Sequence, residues 1–106
     1  MRYLVSYDLH NHRDYTRLHN ELKRLGGAKI LLSMWGIQSA LSVTQLRNHL
    51  QRFVDHDDTI LVHLAPAAYT GWASYNLATP AGNWLNGSIH QNGVPTSQLG
   101  LANLFR

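Results

Sequence analysis

The residues best equipped for chemistry are three acids, Asp8, Asp57 and Asp58, the close pair His10 and His12, and the arginines Arg13, Arg17, Arg47 and Arg52. Asp8 stands near the end of the hydrophobic run YLVSYDL at residues 3–9. Strands are poor in aspartate, whereas the mouth of a strand-to-helix loop is where sites are built. Asp8 is therefore either a turn residue leading into a helix or a ligand. As a ligand it offers hard carboxylate oxygen of the kind that suits Mg²⁺ or Mn²⁺. Asp57 and Asp58 are either further carboxylates for the same cation or turn residues at the start of a strand. The arginines, with Lys23 and Arg24, are either sequence-independent phosphate contacts or solvated helix faces.

The elements that must carry these side chains can be read from the apolar spacing. Alternation in the first run sets Tyr3, Val5, Tyr7 and Leu9 on one side of a strand and Leu4, Ser6 and Asp8 on the other. Tyr15, Leu18, Leu22 and Leu25 recur at three- and four-residue steps, which predicts a helix over residues 13–25 closed by Gly26 and Gly27. Asp14 near its start and Lys23 and Arg24 near its end follow the order that the helix dipole favours. Residues 28–41 lack a helical stripe and read as two strands joined tightly near residues 34–36. Ser42 opens a second helix carrying Val43, Leu46, Leu50 and Phe53 and ending near Val54. Residues 59–65 then form a strand that Pro66 ends.

This order, βαββαβ over residues 1–65, is an α+β ferredoxin-like unit: an antiparallel sheet in the order 4-1-3-2, two helices on one face, and the other face left for a partner. Residues 66–106 form an irregular C-terminal extension rich in Gly, Asn and Pro, packing on the core or on a partner subunit. Within it, Thr79-Pro80 and Gly87 bracket a short helical turn carrying Trp84, and Trp72, Tyr75 and Leu77 could form an extra edge strand. Leu99, Leu101, Leu104 and Phe105 could cap a core or bind a partner subunit.

Composition bounds the function. With 106 residues and 44% hydrophobic content the chain is one domain with a modest core, for which dimerisation would help. It has no cysteine, which excludes disulfides and thiolate metal sites, and neither a signal-peptide pattern nor a membrane-length apolar run is present. A cytoplasmic, membrane-free protein is expected. The net charge of +3, with seven histidines, permits a polyanionic partner without requiring one.

Four stretches together resemble the CRISPR-associated Cas-two-like superfamily and its SinR-like and VapD-like relatives. They are YLVSYDL with its Asp8, the Leu-rich helix ending at Gly26-Gly27, Ser33-Met34-Trp35, and Asp57-Asp58-Thr59-Ile60 leading into the fourth strand. The resemblance covers about the first 65 residues, and the tryptophans at 35, 72 and 84 look like the SinR-like branch. It implies a homodimer whose two sheets face one another and bring Asp8 of each chain toward a shared cleft. It also implies one of two functions, a divalent-metal-dependent endonuclease acting on RNA or DNA, or a non-catalytic dimeric scaffold or adaptor. Further partners of the kind met in such families are an integrase or an antitoxin. The chain departs from many relatives in lacking an obvious partner-binding strand after the fourth.

On this reading Asp8 is the metal ligand and catalytic residue, Mg²⁺ or Mn²⁺ the cofactor, and a metal-bound water the nucleophile on a phosphodiester. Asp8 as a cap of the loop and first helix is the alternative. The paired histidines of His10-Asn11-His12 invite comparison with nicking endonucleases of related fold. Those enzymes place a hydrophobic residue between their histidines, and Asn11 breaks that pattern, leaving a transition-metal site or solvated loop histidines. RNA-recognition modules share the element order but need a basic and aromatic third strand, for which Trp35 and Ile37 are insufficient. Trp72, Tyr75 and Trp84 either stack bases or pack over a sheet edge or interface.

Overall fold

The computed structural model describes residues 1–10 and 15–87. Strand β1 (Arg2–Asp8) lies inside a four-stranded antiparallel sheet. It buries Tyr3, Val5 and Tyr7 on one face and Leu4 on the other, as period-2 alternation requires. Helix α1 (Thr16–Arg24) presents Leu18, Glu21 and Leu22 to the core. Gly26, at φ 77°, donates to the Lys23 carbonyl and Gly27 to the Leu22 carbonyl, so the two glycines close the helix in a Schellman motif. The helix begins at Thr16, with Tyr15 at its N-cap, rather than at the expected residue 13, and Asp14 falls outside the described residues.

Strands β2 (Ala28–Leu31) and β3 (Met34–Gln38) form the expected hairpin. Its turn is at Leu32-Ser33 rather than near residues 34–36, because Met34, Trp35 and Gly36 are already paired with Ser6, Val5 and Leu4 of β1. Helix α2 (Val43–Leu50) starts with a capping box: Ser42 accepts from the Gln45 N–H and the Gln45 side chain accepts from the Ser42 N–H. A 3-10 turn at Gln51–Phe53 finishes it, and β4 (Thr59–Ala65) follows. A third helix, α3 (Thr79–Asn86), has Pro80 in its first turn and stops at Gly87, whose φ of 81° suits a left-handed cap.

The sheet order β2-β3-β1-β4 is the ferredoxin-like one. The main core lies between the sheet and the first two helices and gathers Tyr3, Val5, Tyr7, Leu9, Trp35 and Ile37 against Leu18, Leu22, Leu46 and Leu50. Each fully buried leucine there contributes about 1.5–3 kcal/mol. The opposite face is not left wholly open, which corrects the expectation from sequence. Residues Ala81 and Trp84 of α3 pack on Leu4, Ile30 and Ala65, with Tyr69, Leu77 and Leu85 around them. The indole of Trp84 lies where a Cβ on Gly36 would be, so the close approach of α3 depends on a glycine in the middle of β3. Residues 71–78 form no strand, and the extra edge strand expected from Trp72, Tyr75 and Leu77 is absent from this described stretch. The reason is that the segment turns back toward α3: Tyr69 donates to the Leu85 carbonyl and Trp72 Nε1 to Asn86.

Candidate cation and nucleic-acid site

Asp8 is the last residue of β1, exposed, on the sheet face opposite α1 and α2. In β4 its register partner is Thr59, with Leu61 beside Ser6 and His63 beside Leu4. His63 thus shares the Asp8 face but sits two pairs further along the strands. The strip formed by the end of β1 and by Thr59, Leu61 and His63 of β4 is the part of this face that α3 leaves uncovered, and Leu61 on it is 59% exposed.

Asp58 lies beside this strip but has a structural task. One carboxylate oxygen accepts from the His10 N–H at 2.9 Å and the other from the Asp55 N–H at 2.8 Å. The side chain therefore pins the exit of β1 to the turn leading into β4, the turn role expected of acids in such loops. Asp57 and His10 are exposed. His12 and Arg13 lie outside the described residues. Among the described residues no group of three or more His, Asp or Glu is gathered tightly enough to hold a metal ion.

The chain path puts two of the expected arginines at the same end of the sheet as Asp8. Helix α1 starts soon after β1 ends, and the 3-10 turn after α2 precedes the start of β4. Arg17 donates from Nη2 to the Arg52 backbone carbonyl at 2.8 Å, which ties α1 to that turn. Arg47 lies further back on α2, with Nε bonded to Asn48. All three are exposed and belong to the helix layer, whereas Asp8 points from the other face. A polyanion touching both must pass around the sheet end. Of the aromatic residues considered for stacking, Trp84 is buried under α3 and unable to stack, Trp72 is partly engaged with Asn86, and Tyr75 is 91% exposed.

Two polar clusters escape a reading based on apolar spacing. In the first, the Tyr7 hydroxyl lies 2.7 Å from the Leu32 carbonyl and 2.5 Å from His19 Nε2, with Tyr15 and Trp35 packed edge-on or tilted around the imidazole. A hydroxyl has one proton and a carbonyl only accepts. The consistent assignment is that Tyr7 donates to Leu32 while the single His19 Nε2–H is shared between the Tyr7 hydroxyl and the Leu32 carbonyl, 3.2 Å from it. Burial pushes the Tyr7 phenol well above its ordinary range, against a smaller opposing pull from the Trp35 indole. Burial also lowers His19, with Lys29 and Lys23 acting in the same direction and its bond to Leu32 against it. Tyr7 is thus a fixed donor, not a nucleophile.

In the second cluster, buried Glu21 accepts from Arg24 Nε at 2.8 Å, from Arg24 Nη2 at 2.6 Å and from His49 Nε2 at 2.5 Å. These bonds, Arg24's foremost, hold its carboxyl down at about 2 despite burial. The signal for it was present: Glu21 stands three residues after Leu18 and His49 three after Leu46, on the inward stripes of the two helices.

A sequence model of the family described as CRISPR associated protein Cas2 matches residues 1–69. The match spans all four strands, the first two helices and Asp8.

Proposed function

The chain belongs to the CRISPR-associated Cas2 family, and from that premise we propose a nucleic-acid-associated protein that works as a homodimer and cleaves RNA or DNA with a divalent cation at Asp8. The observation that carries the reading is the position of Asp8, an exposed carboxylate at the end of a rigid central strand, on the uncovered strip of the sheet.

The residues fit a hard cation in a limited way. Mg²⁺ commonly uses one or two carboxylates and completes its shell with water and substrate phosphate, so a single Asp per chain suffices only if a second copy, water or the phosphodiester supplies the rest. When bound, such an ion lowers the pKa of a water and neutralises charge on the phosphate. Asp8 itself ligates and orients, held by its place in the β1–β4 ladder. Arg17 and Arg52, at the same end of the sheet, hold the polyanion through its phosphates, and Arg47 extends that contact along α2.

A second reading, a dimeric scaffold without catalysis, draws support from the exposed Arg17, Arg47 and Arg52, which can hold a polyanion with no chemistry at Asp8. Cleavage assays on RNA and DNA, with Mg²⁺, Mn²⁺ or chelator, separate the two. Metal-dependent cleavage that Asp8→Asn abolishes while binding persists supports the nuclease; cleavage that survives the substitution removes Asp8 from the mechanism. Binding with no cleavage by the unsubstituted chain under any metal favours the scaffold.

A further inference from the structure

The segment after β4 folds back on its own sheet. Helix α3 lies against β2, reaches Leu4 of β1, Gly36 of β3 and Ala65 at the end of β4, and leaves Thr59, Leu61 and His63 of β4 exposed on the face that carries Asp8. Several features make that cover marginal. The helix has eight residues and no side-chain N-cap, and so short a helix is unstable in water unless it is seated on something. Residues 66–87 contain no Asp, Glu, Lys, Arg or His, so no ion pair within this stretch holds it down. Its seat is a small apolar cluster, Ala81 and Trp84 on Leu4, Ile30 and Ala65, with the indole of Trp84 laid against Gly36.

Beneath it, the Arg2 guanidinium stacks 3.8 Å from the Trp84 ring, with Nε donating to the Pro66 carbonyl. Both Nη atoms are buried and have no hydrogen-bond partner. Burying cationic donors without acceptors is unfavourable, and lifting α3 returns them to water. The seated state therefore combines apolar burial of Ala81 and Trp84 with two unsatisfied Nη donors at its centre, a cost that the Arg2–Trp84 stacking offsets in part.

We propose that α3 is a displaceable cover that competes with a second copy of this chain for the sheet face. This rests on the homodimer reading above and adds its regulation: the face pairs fully only when α3 has left it. The unseated form is a minor population, and the apparent dimer affinity is reduced by that fraction.

Gly36→Ala provides a selective test. Alanine is at home in a strand, and the atoms its Cβ meets first belong to Trp84. Trp84→Ala removes the ring without adding volume to the sheet, so it controls for an effect of the new methyl on the interface. Hydrogen exchange reads the helix, and sedimentation over a concentration series reads association. The expected result is at least about tenfold faster exchange over residues 81–87 in both variants, unchanged protection in β1 and β3, and a dimer dissociation constant lower by about fivefold or more. Unchanged exchange over residues 81–87 would overturn the seat. Freed α3 with an equal or weaker dimer would overturn the competition while leaving the homodimer intact. No association by the wild-type chain or either variant removes the second copy itself, and with it the homodimer reading.

Discussion

Replacing Glu21 with glutamine tests the energetics of the helix layer most sharply. In the folded chain the carboxyl is held at about 2, below its ordinary 4.5, by Arg24 and then His49, with burial opposing them. A depressed carboxylate contributes stability that is present above the unfolded value and is lost as pH falls toward the folded one, so the window runs from about 4.5 down to about 2. Taken at face value that difference corresponds to about 3 kcal/mol at neutral pH. The Arg24 side chain is 66% exposed, so water screens much of its charge. A contribution of about 1–2 kcal/mol is the figure to expect. Glutamine keeps the shape but has one acceptor oxygen, which can serve Arg24 Nη2 and His49 in place of Oε2 while its NH2 group faces Arg24 Nε, and it carries no charge. Urea unfolding of Glu21→Gln should show a loss of about 1–2 kcal/mol at pH 7, shrinking steadily below pH ~4.5 as the carboxyl of the unfolded wild-type chain takes up its proton. Equal stability at pH 7, or a difference that stays constant down to pH ~2.5, would refute the assignment.

Other substitutions probe the parts that position the site. Asp58→Ala removes two backbone ties between the exit of β1 and the approach to β4, and should cost about 1–3 kcal/mol in chemical denaturation. Asp8→Asn should stay within about 0.5 kcal/mol of wild type, since Asp8 is an exposed strand-end residue, and a large loss would make it a structural cap. Tyr7→Phe leaves the Leu32 carbonyl without its hydroxyl donor and should lower stability by about 1–2 kcal/mol, read as a shift in urea midpoint with unchanged slope. Ser42→Ala breaks the capping box of α2 and should cost about 1 kcal/mol.

The sequence carried the frame because its signals are local. Alternation in YLVSYDL assigns faces without knowledge of neighbours, and the three- and four-residue steps of Leu18, Leu22, Leu46 and Leu50 find both core helices. The hairpin turn was misplaced by two residues because an apolar run such as ILLSMWGI contains no turn-specific residue at Leu32, where pairing with β1 decides. The position of α3 was not legible. Pro80 and Gly87 mark a helix, but that it returns to its own sheet depends on Trp84 meeting Gly36 across 48 residues of chain, which no local pattern encodes. The place of Asp8 at the end of β1, on the face opposite the first two helices, was legible from strand alternation. Separating Asp58 from it required the two hydrogen bonds that give Asp58 its turn role. Glu21 and His19 were missed because a polar residue on an inward stripe looks like an imperfection until its partners are seen.

The central claim is association with a polyanion through exposed arginines near the Asp8 end of the sheet, and affinity as a function of salt tests it most directly. The logarithm of the binding constant for RNA or DNA should fall linearly with the logarithm of salt concentration, with a slope of about −0.7 to −0.9 per phosphate contacted. Alanine at Arg47 or Arg52 should each make that slope shallower by about one contact's worth. A flat line, or no binding at low salt, would contradict it.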